Sequence, residues 1–273
     1  RMKENVERYG GIPIMVEDEW GAKIDINKVE ETLKLNQDAK IVAFVHAETS
    51  TGVKSDPEAL TKLAHTYNCL SIVDTVTGLG GVPLLVDEWE IDAVYSGTQK
   101  CLSASPGLSP ISFSKKAKEK IQNRTTKVRS WFHDLNLIMS YWEGEGARSY
   151  HHTAPINALY GLHEALLILS EEGIENSWKR HLENHVLLRD GLEQIGINFL
   201  VNKDDRLPQL NTIFIPEGID DPKTISKLLN EYNLEIGAGL GTLAGKVWRI
   251  GLMGHSSNKQ NIEHCLSSIA KVI

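Results

Sequence analysis

A chain of 273 residues, 41% hydrophobic and 24% charged, is long enough for one large α/β domain or two smaller ones and too apolar to remain disordered. Its net charge of -7, from 36 acidic against 29 basic residues, argues against nucleic acid as a main partner, because phosphate binding draws on an excess of Lys and Arg. No stretch reaches the roughly 18 apolar residues that cross a bilayer, so a membrane is not expected as a partner either.

The chain opens on RMKENVERYGG, which has helical periodicity, no initiator Met and no apolar core of a signal peptide. It reads as a fragment of a longer protein. From Ile41 to Ser114 short β-branched runs alternate with helical periodicity, the pattern of βαβ units and a mainly parallel sheet. The runs at 41–47, 69–74 and 92–97 are uniformly apolar and predict strands covered on both faces. Between the first two, Ser55 or Asp56 is placed to cap a helix with Pro57 at its first position and Leu60, Leu63, Ala64 and Tyr67 on one face. The run at 109–114 predicts a further strand, antiparallel because the link from Gly97 is too short for a helical crossover.

The basic run from Lys115 to Arg129 has no interleaved aromatic residues and reads as the solvated face of a surface helix and loop. After Pro155 two long helical patterns meet near Gly173. They lead into strand, strand, helix, strand, strand and a final helix from about Asn258, an α+β arrangement. The expected division is a large domain over 1–165 and a smaller C-terminal domain over 166–273. Cys69, Cys101 and Cys265 have no paired spacing and read as free thiols of a cytoplasmic protein.

Several motifs that suggest chemistry fail on spacing. GAGLGTLAGK (237–246) matches neither phosphate-binding glycine pattern and reads as a loop between two strands. HLENH places His181 and His185 one helical turn apart, but without the glutamate position of a zinc helix. No G-x-S-x-G elbow is present. What remains is a set of polar residues at the carboxyl ends of the apolar runs, where open α/β sheets bind ligands. His46, Glu48 and Thr49 follow the first, Asp74 ends the second, and Gln99 and Lys100 follow the third. Asp74 either caps the next turn or holds a buried cation. Lys100, in a partly desolvated crevice opposite an aspartate, has the arrangement that pyridoxal phosphate needs: an amine for the aldehyde carbon and a carboxylate for the pyridine nitrogen. The plainer reading is a surface lysine in salt contact with Asp74.

The segments HAETSTGV, IVDTVTGLGGVPLLVDEWEIDAVYSGTQKCL, SYHHTAP and KVWRIGLMG resemble, in this order and over essentially the whole chain, the class V, fold-type I pyridoxal-phosphate aminotransferases of the alanine–glyoxylate and serine–pyruvate group. The resemblance implies that Lys100 anchors the cofactor and then shuttles the substrate proton, and that Asp74 pairs with the pyridine nitrogen. It implies Thr49 beside the phenolic oxygen, Val76 against the ring and Gln99 at the phosphate. Arg249 would clamp the substrate carboxylate, and Tyr150 and Thr153 would reach a partner's phosphate across a homodimer interface. Individually, Val76 also reads as core, Arg249 as a structural cation, and His151 and His152 as loop residues.

The family's N-terminal phosphate loop and ring-stacking aromatic residue are absent from this chain. The substrates implied are alanine or serine with glyoxylate or pyruvate. The alternatives are (S)-ureidoglycine–glyoxylate transfer, in which Asn would stand at the Tyr150 position, and a non-catalytic fragment of the same fold. A desulfurase would need a mobile-loop cysteine, and Cys101 lies too close to Lys100 to reach a substrate easily. A nicotinamide-dependent dehydrogenase would need a glycine fingerprint that the chain lacks.

Overall fold

The computed structural model describes residues 1–143 and 150–273. The chain begins with a short exposed helix α1 (Met2–Arg8), followed by α2 (Ile26–Leu35), which Asp25 caps by accepting from the Asn27 N–H at 2.9 Å. Next come β1 (Ile41–Val45), a two-residue antiparallel pair β2 (Ala47–Glu48) and β3 (Val53–Lys54), helix α3 (Pro57–Thr66), β4 (Leu70–Asp74), β5 (Ala93–Tyr95) and β6 (Ile111–Phe113). Of the two cap residues expected for α3, Asp56 serves, accepting from Ala59 N–H at 3.0 Å, with Pro57 in the first turn where its missing N–H costs nothing.

These strands form one sheet of order β1-β4-β5-β6, parallel except for β6. The antiparallel fourth strand is as the short link predicts. Coverage is more one-sided than the apolar runs suggest. Val29 and Leu33 of α2 and Leu60 and Ala64 of α3 pack with Phe44, Val73 and Val94 on one face. On the opposite face of β1, Ile41 is 51% exposed and Ala43 is exposed, because α2 and α3 lie only against the other side. Asp74 and Tyr95 share this more open face, as register partners on adjacent strands.

The basic run becomes helix α4 (Lys115–Gln122), which Ser114 caps, and α5 (Leu135–Glu143) follows. The two long helices are α6 (Ile156–Glu172) and α7 (Ile174–Gln194), joined at Gly173 with φ +83°. The second sheet has order β7-β9-β8, all antiparallel, from β7 (Leu210–Phe214), β8 (Gly237–Ala238) and β9 (Val247–Gly251). Helix α8 (Asp221–Tyr232) and helix α9 (Lys259–Ile269), capped by Asn258, pack with α7 over it. The first of the strands that the sequence predicts after the two long helices, at 197–201, is only a bridge, Phe199 to Ile213, because the chain leaves the sheet edge into the turn at 203–205.

The core over this sheet includes Leu188, Leu192, Ile213, Leu228 and Trp248, all fully buried, and truncating any of the leucines to Ala would cost about 2–5 kcal/mol. A third, smaller cluster lies between the two sheets: Ala47 of β2 and Val82 of the loop after β4, with Leu207 and with Leu210 at the start of β7. Among the described residues no helix is long and apolar enough to cross a membrane.

Candidate functional site

The site lies at the carboxyl edge of the parallel strands. Asp74 is the last residue of β4, half-buried, and both of its oxygens have partners: Oδ1 accepts from Val76 N–H at 2.9 Å and Oδ2 from the Tyr95 hydroxyl at 2.7 Å. Of the two readings left open by the sequence, the turn cap is the one observed, and no ion pair to Asp74 is present among the described residues. Tyr95 escapes notice in the sequence because only strand register sets its phenol beside the carboxylate. Burial, and then the bond to Asp74, push its pKa well above the tyrosine range, so it stays a neutral donor.

Lys100 sits half-buried in the turn leaving β5. Ala104 N–H donates to Thr98 O and Ser103 N–H to Lys100 O, each at 3.0 Å, which closes the turn. Ser103 carries φ +58°, a left-handed conformation uncommon outside glycine. Among the described residues Lys100 Nζ has no hydrogen bond or ion pair, so the salt contact with Asp74 does not occur. The Gln99 side chain is exposed and lies over Gly97: a Cβ added at Gly97 would stand 2.6 Å from Gln99 Oε1.

After β2, Thr49 Oγ1 and Thr77 Oγ1 share a 2.5 Å hydrogen bond that links the loops following the first two strands of the sheet edge. Glu48 caps its own turn by accepting from Ser50 N–H at 2.8 Å. His46 is buried with its ring edge-on to Trp89, and burial pushes its pKa down to about 4, so it stands neutral in the core. Val76 is half-buried directly beyond Asp74.

Arg249 of β9 joins this group from the other sheet. Its Nη1 donates to Thr49 O at 3.0 Å and its Nε to Ala238 O at 2.9 Å. Burial draws its pKa down, partly offset by Glu48, and it remains a cation. Of a guanidinium's five N–H groups two are thus committed to backbone carbonyls.

Tyr150 and Thr153 are not brought to this cluster. Tyr150 is 65% exposed and its hydroxyl lies 2.5 Å from Thr153 Oγ1, while His151 stacks on Trp131 with ring centroids 4.1 Å apart. Ser149, the first residue of SYHHTAP, lies outside the described residues. The helical pair His181 and His185 is committed elsewhere, His181 to Ser177 O and Gly254 N–H and His185 Nδ1 to Asn211 Oδ1 at 2.6 Å. Gln209, unremarked in the sequence, donates from Nε2 to Thr77 O at 2.7 Å.

Comparison with known proteins places this architecture. The chain is 38% identical to alanine–glyoxylate aminotransferase of Rattus norvegicus over 275 residues, covering 100% of this chain and 66% of that protein. To the Callithrix jacchus enzyme of the same name it is 40% identical, covering 94% and 62%. The chain thus spans slightly less than two thirds of the length of these curated relatives. Among solved structures, alanine–glyoxylate aminotransferase from Nostoc sp. superposes with TM-score 0.94 at 44% identity, over 98% of this chain and 71% of that one. Ureidoglycine–glyoxylate aminotransferase from Bacillus subtilis superposes with TM-score 0.95 at 36% identity, over 99% and 69%. The fold is therefore that of the fold-type I pyridoxal-phosphate enzymes. With residues 5–264 matching the family of class-V aminotransferases, the chain belongs to that family.

Proposed function

We propose that the protein is a pyridoxal-phosphate aminotransferase that moves an amino group from alanine or serine to glyoxylate or pyruvate in two half-reactions. The observation that carries this reading is Lys100: a half-buried amine without a hydrogen bond or ion pair among the described residues, held at the sheet edge that also presents Asp74, Thr49 and Arg249. An amine in such a place has no structural use and a clear nucleophilic one.

The donor set fits the cofactor. Lys100 would hold its aldehyde carbon, Asp74 its ring nitrogen, Thr49 its phenolic oxygen and Gln99 its phosphate, with Val76 against the ring. Asp74 Oδ1 and Oδ2 each accept one bond and retain a lone pair for a further donor. The absence of a Cβ at Gly97 leaves the room that the Gln99 side chain now occupies. Pyridoxal phosphate, when bound, supplies an electron sink for the pair released as the substrate Cα–H bond breaks. Lys100 Nζ would be the base that takes this proton and returns it. The remaining donors of Arg249, two on Nη2 and one on Nη1, would bind the substrate carboxylate end-on, fixing which bond at Cα faces Lys100.

Tyr150 and Thr153 support a homodimer in which they reach a partner's phosphate: both are exposed, and their hydroxyls bond each other. Helix α6 agrees, since none of its residues is buried and Ile156, Tyr160 and Ile168 are each more than half exposed. The division at 165 and 166 is supported by separate cores on either side of it. A cytoplasmic setting is supported by three cysteines that are free and buried.

A second reading, (S)-ureidoglycine as amino donor with the same acceptor, rests on the Bacillus subtilis structure, whose superposition matches that of the Nostoc enzyme. Mixing the cofactor-loaded full-length protein with L-alanine, with L-serine and separately with ureidoglycine, while following cofactor absorbance, tests both. Conversion to the pyridoxamine form with alanine or serine is expected, conversion with ureidoglycine alone selects the second reading, and conversion with none of the three overturns both.

A further inference from the structure

The turn that carries Lys100 is held from outside the parallel sheet. After β9 the chain makes a tight turn at 254–257, and His255 N–H donates to Ser103 Oγ at 2.8 Å. Gly254 lies so close that a Cβ there would stand 1.9 Å from Ser103 Oγ and 2.7 Å from Cys101 O, and its φ is +55°. Helix α7 in turn grips this turn with side chains spread over one helical turn. Arg180 Nη1 donates to Gly254 O at 2.8 Å and to Ser257 O at 2.9 Å, while its other edge forms a paired bond with the Glu172 carboxylate. Asn184 donates to Ser257 Oγ at 3.1 Å, and Ser177 Oγ anchors the helix to Gly80 O at 2.7 Å.

His181 completes the grip. Its Nδ1 lies 2.7 Å from Ser177 O, a carbonyl that can only accept, so Nδ1 carries the proton and Nε2 presents a lone pair. That lone pair accepts from Gly254 N–H at 2.9 Å. The imidazole works here only when neutral, because an Nε2–H would face another N–H. Burial, seconded by the neighbouring Arg180 cation, pulls its pKa down, against Ser177 O and the Glu172 carboxylate. Across the turn lies the Cys101 thiol, whose pKa burial pushes up to about 12, so it too is uncharged. The arrangement reaches Lys100 only through the main chain, by the Ser103 N–H bond to Lys100 O at 3.0 Å.

We propose that His181 is a positioning residue for Lys100: by accepting from Gly254 N–H it holds the 254–257 turn against residues 101–103 and so sets the direction of the lysine amine. This rests on the functional reading of Lys100. The substitution His181→Leu removes the acceptor at similar volume, whereas His181→Gln keeps one.

In the cofactor-loaded full-length protein, His181→Leu is expected to raise amide hydrogen exchange about tenfold in both 254–257 and 98–104. It shifts the pH midpoint of the cofactor–lysine absorbance by about 0.5 unit or more and lowers kcat about tenfold, with KM changed less than about twofold. His181→Gln restores most of each effect. Ser103→Ala, which breaks the last link alone, gives the same changes in 98–104 and in the absorbance without loosening 254–257, and it serves as the test should His181→Leu not fold. Unchanged exchange in 98–104 together with an unchanged absorbance midpoint, in His181→Leu or in Ser103→Ala, overturns the proposal. Failure of borohydride to trap cofactor on Lys100 of the unsubstituted protein overturns the functional reading instead, and the positioning role with it.

Discussion

Asp92 ties together the elements that aim the site, and replacing it tests that claim. Its carboxylate accepts from Ser71 N–H of β4 at 3.0 Å, lies 2.7 Å from His65 Nε2 of α3, and accepts from the Ser114 hydroxyl that caps α4 at 2.9 Å. Its own N–H donates to Ser71 Oγ at 3.0 Å. Its side chain is 3% exposed and that of His65 25%. Asp92→Asn keeps the volume but removes the charge. Each of three charge-assisted bonds then falls from about 1.5–3 kcal/mol toward about 1 kcal/mol, a loss of about 3 kcal/mol, of which about 1 kcal/mol returns because no charge is desolvated. The expected net destabilisation at pH 7 is thus about 2 kcal/mol, read as a lower urea midpoint at unchanged slope. Burial opposes the charge, but the bonds from His65, Ser71 and Ser114 outweigh it and hold the carboxyl below its usual range. A lowered folded-state pKa contributes stability that is present above the unfolded value near 3.8 and lost as pH falls toward the folded one. The substituted protein should therefore lose less stability between about pH 5 and pH 3 than the original. A midpoint equivalent to less than about 0.5 kcal/mol of change, or an unaltered acid limb, would refute the reasoning.

Lys100→Ala should abolish the cofactor–lysine absorbance and slow single-turnover amino transfer by about 10²–10⁴, measured by stopped flow with L-alanine. Arg249→Lys loses the bonds to Ala238 O and Thr49 O along with the planar fork, so KM for the amino acid should rise about tenfold or more in steady-state assays, with kcat less affected. Gly52→Ala places a Cβ 2.5 Å from Leu210 O at φ +77°, and should lower stability by about 2 kcal/mol or more in urea titration.

The elements of this fold are written locally, and so they are legible. Asp56, Ser114, Asp220 and Asn258 each precede a helix that begins where they place it, with Pro57 and Pro222 in the first turns of two of them. The strand-end residues Thr49, Asp74 and Lys100 are legible for the same reason, since position after an apolar run is a one-dimensional property. Tyr95 is not, because its meeting with Asp74 depends on the register of β4 against β5. Neither are Gln209 and His181, whose partners Thr77 and Gly254 are 132 and 73 residues away. HLENH shows the limit plainly. The spacing suggests a metal helix, whereas the two rings are spent separately, on Gly254 and on Asn211.

The bonds that span the two sheets share a pattern with consequences for how the site responds to substrate. Each of the three loops at the parallel sheet's carboxyl edge receives its own bond from the C-terminal part of the chain. Loop 49–52 receives Arg249 Nη1 on Thr49 O and Leu207 N–H on Gly52 O at 2.9 Å. Loop 75–78 receives Gln209 Nε2 on Thr77 O, and turn 100–103 receives His255 N–H on Ser103 Oγ. In every case the atom held is a backbone carbonyl or a short hydroxyl, so little side-chain freedom separates donor from loop. A shift of the antiparallel sheet therefore moves the surroundings of Thr49, Asp74 and Lys100 together rather than one at a time. On the proposed roles, a substrate carboxylate bound by the free donors of Arg249 pulls on a guanidinium that already holds Thr49, and any movement of that cation is passed to the cofactor's neighbour through a single hydrogen bond of 3.0 Å. On these roles, substrate binding and cofactor geometry are coupled through the main chain of residue 49, where no side-chain substitution at that position removes the link.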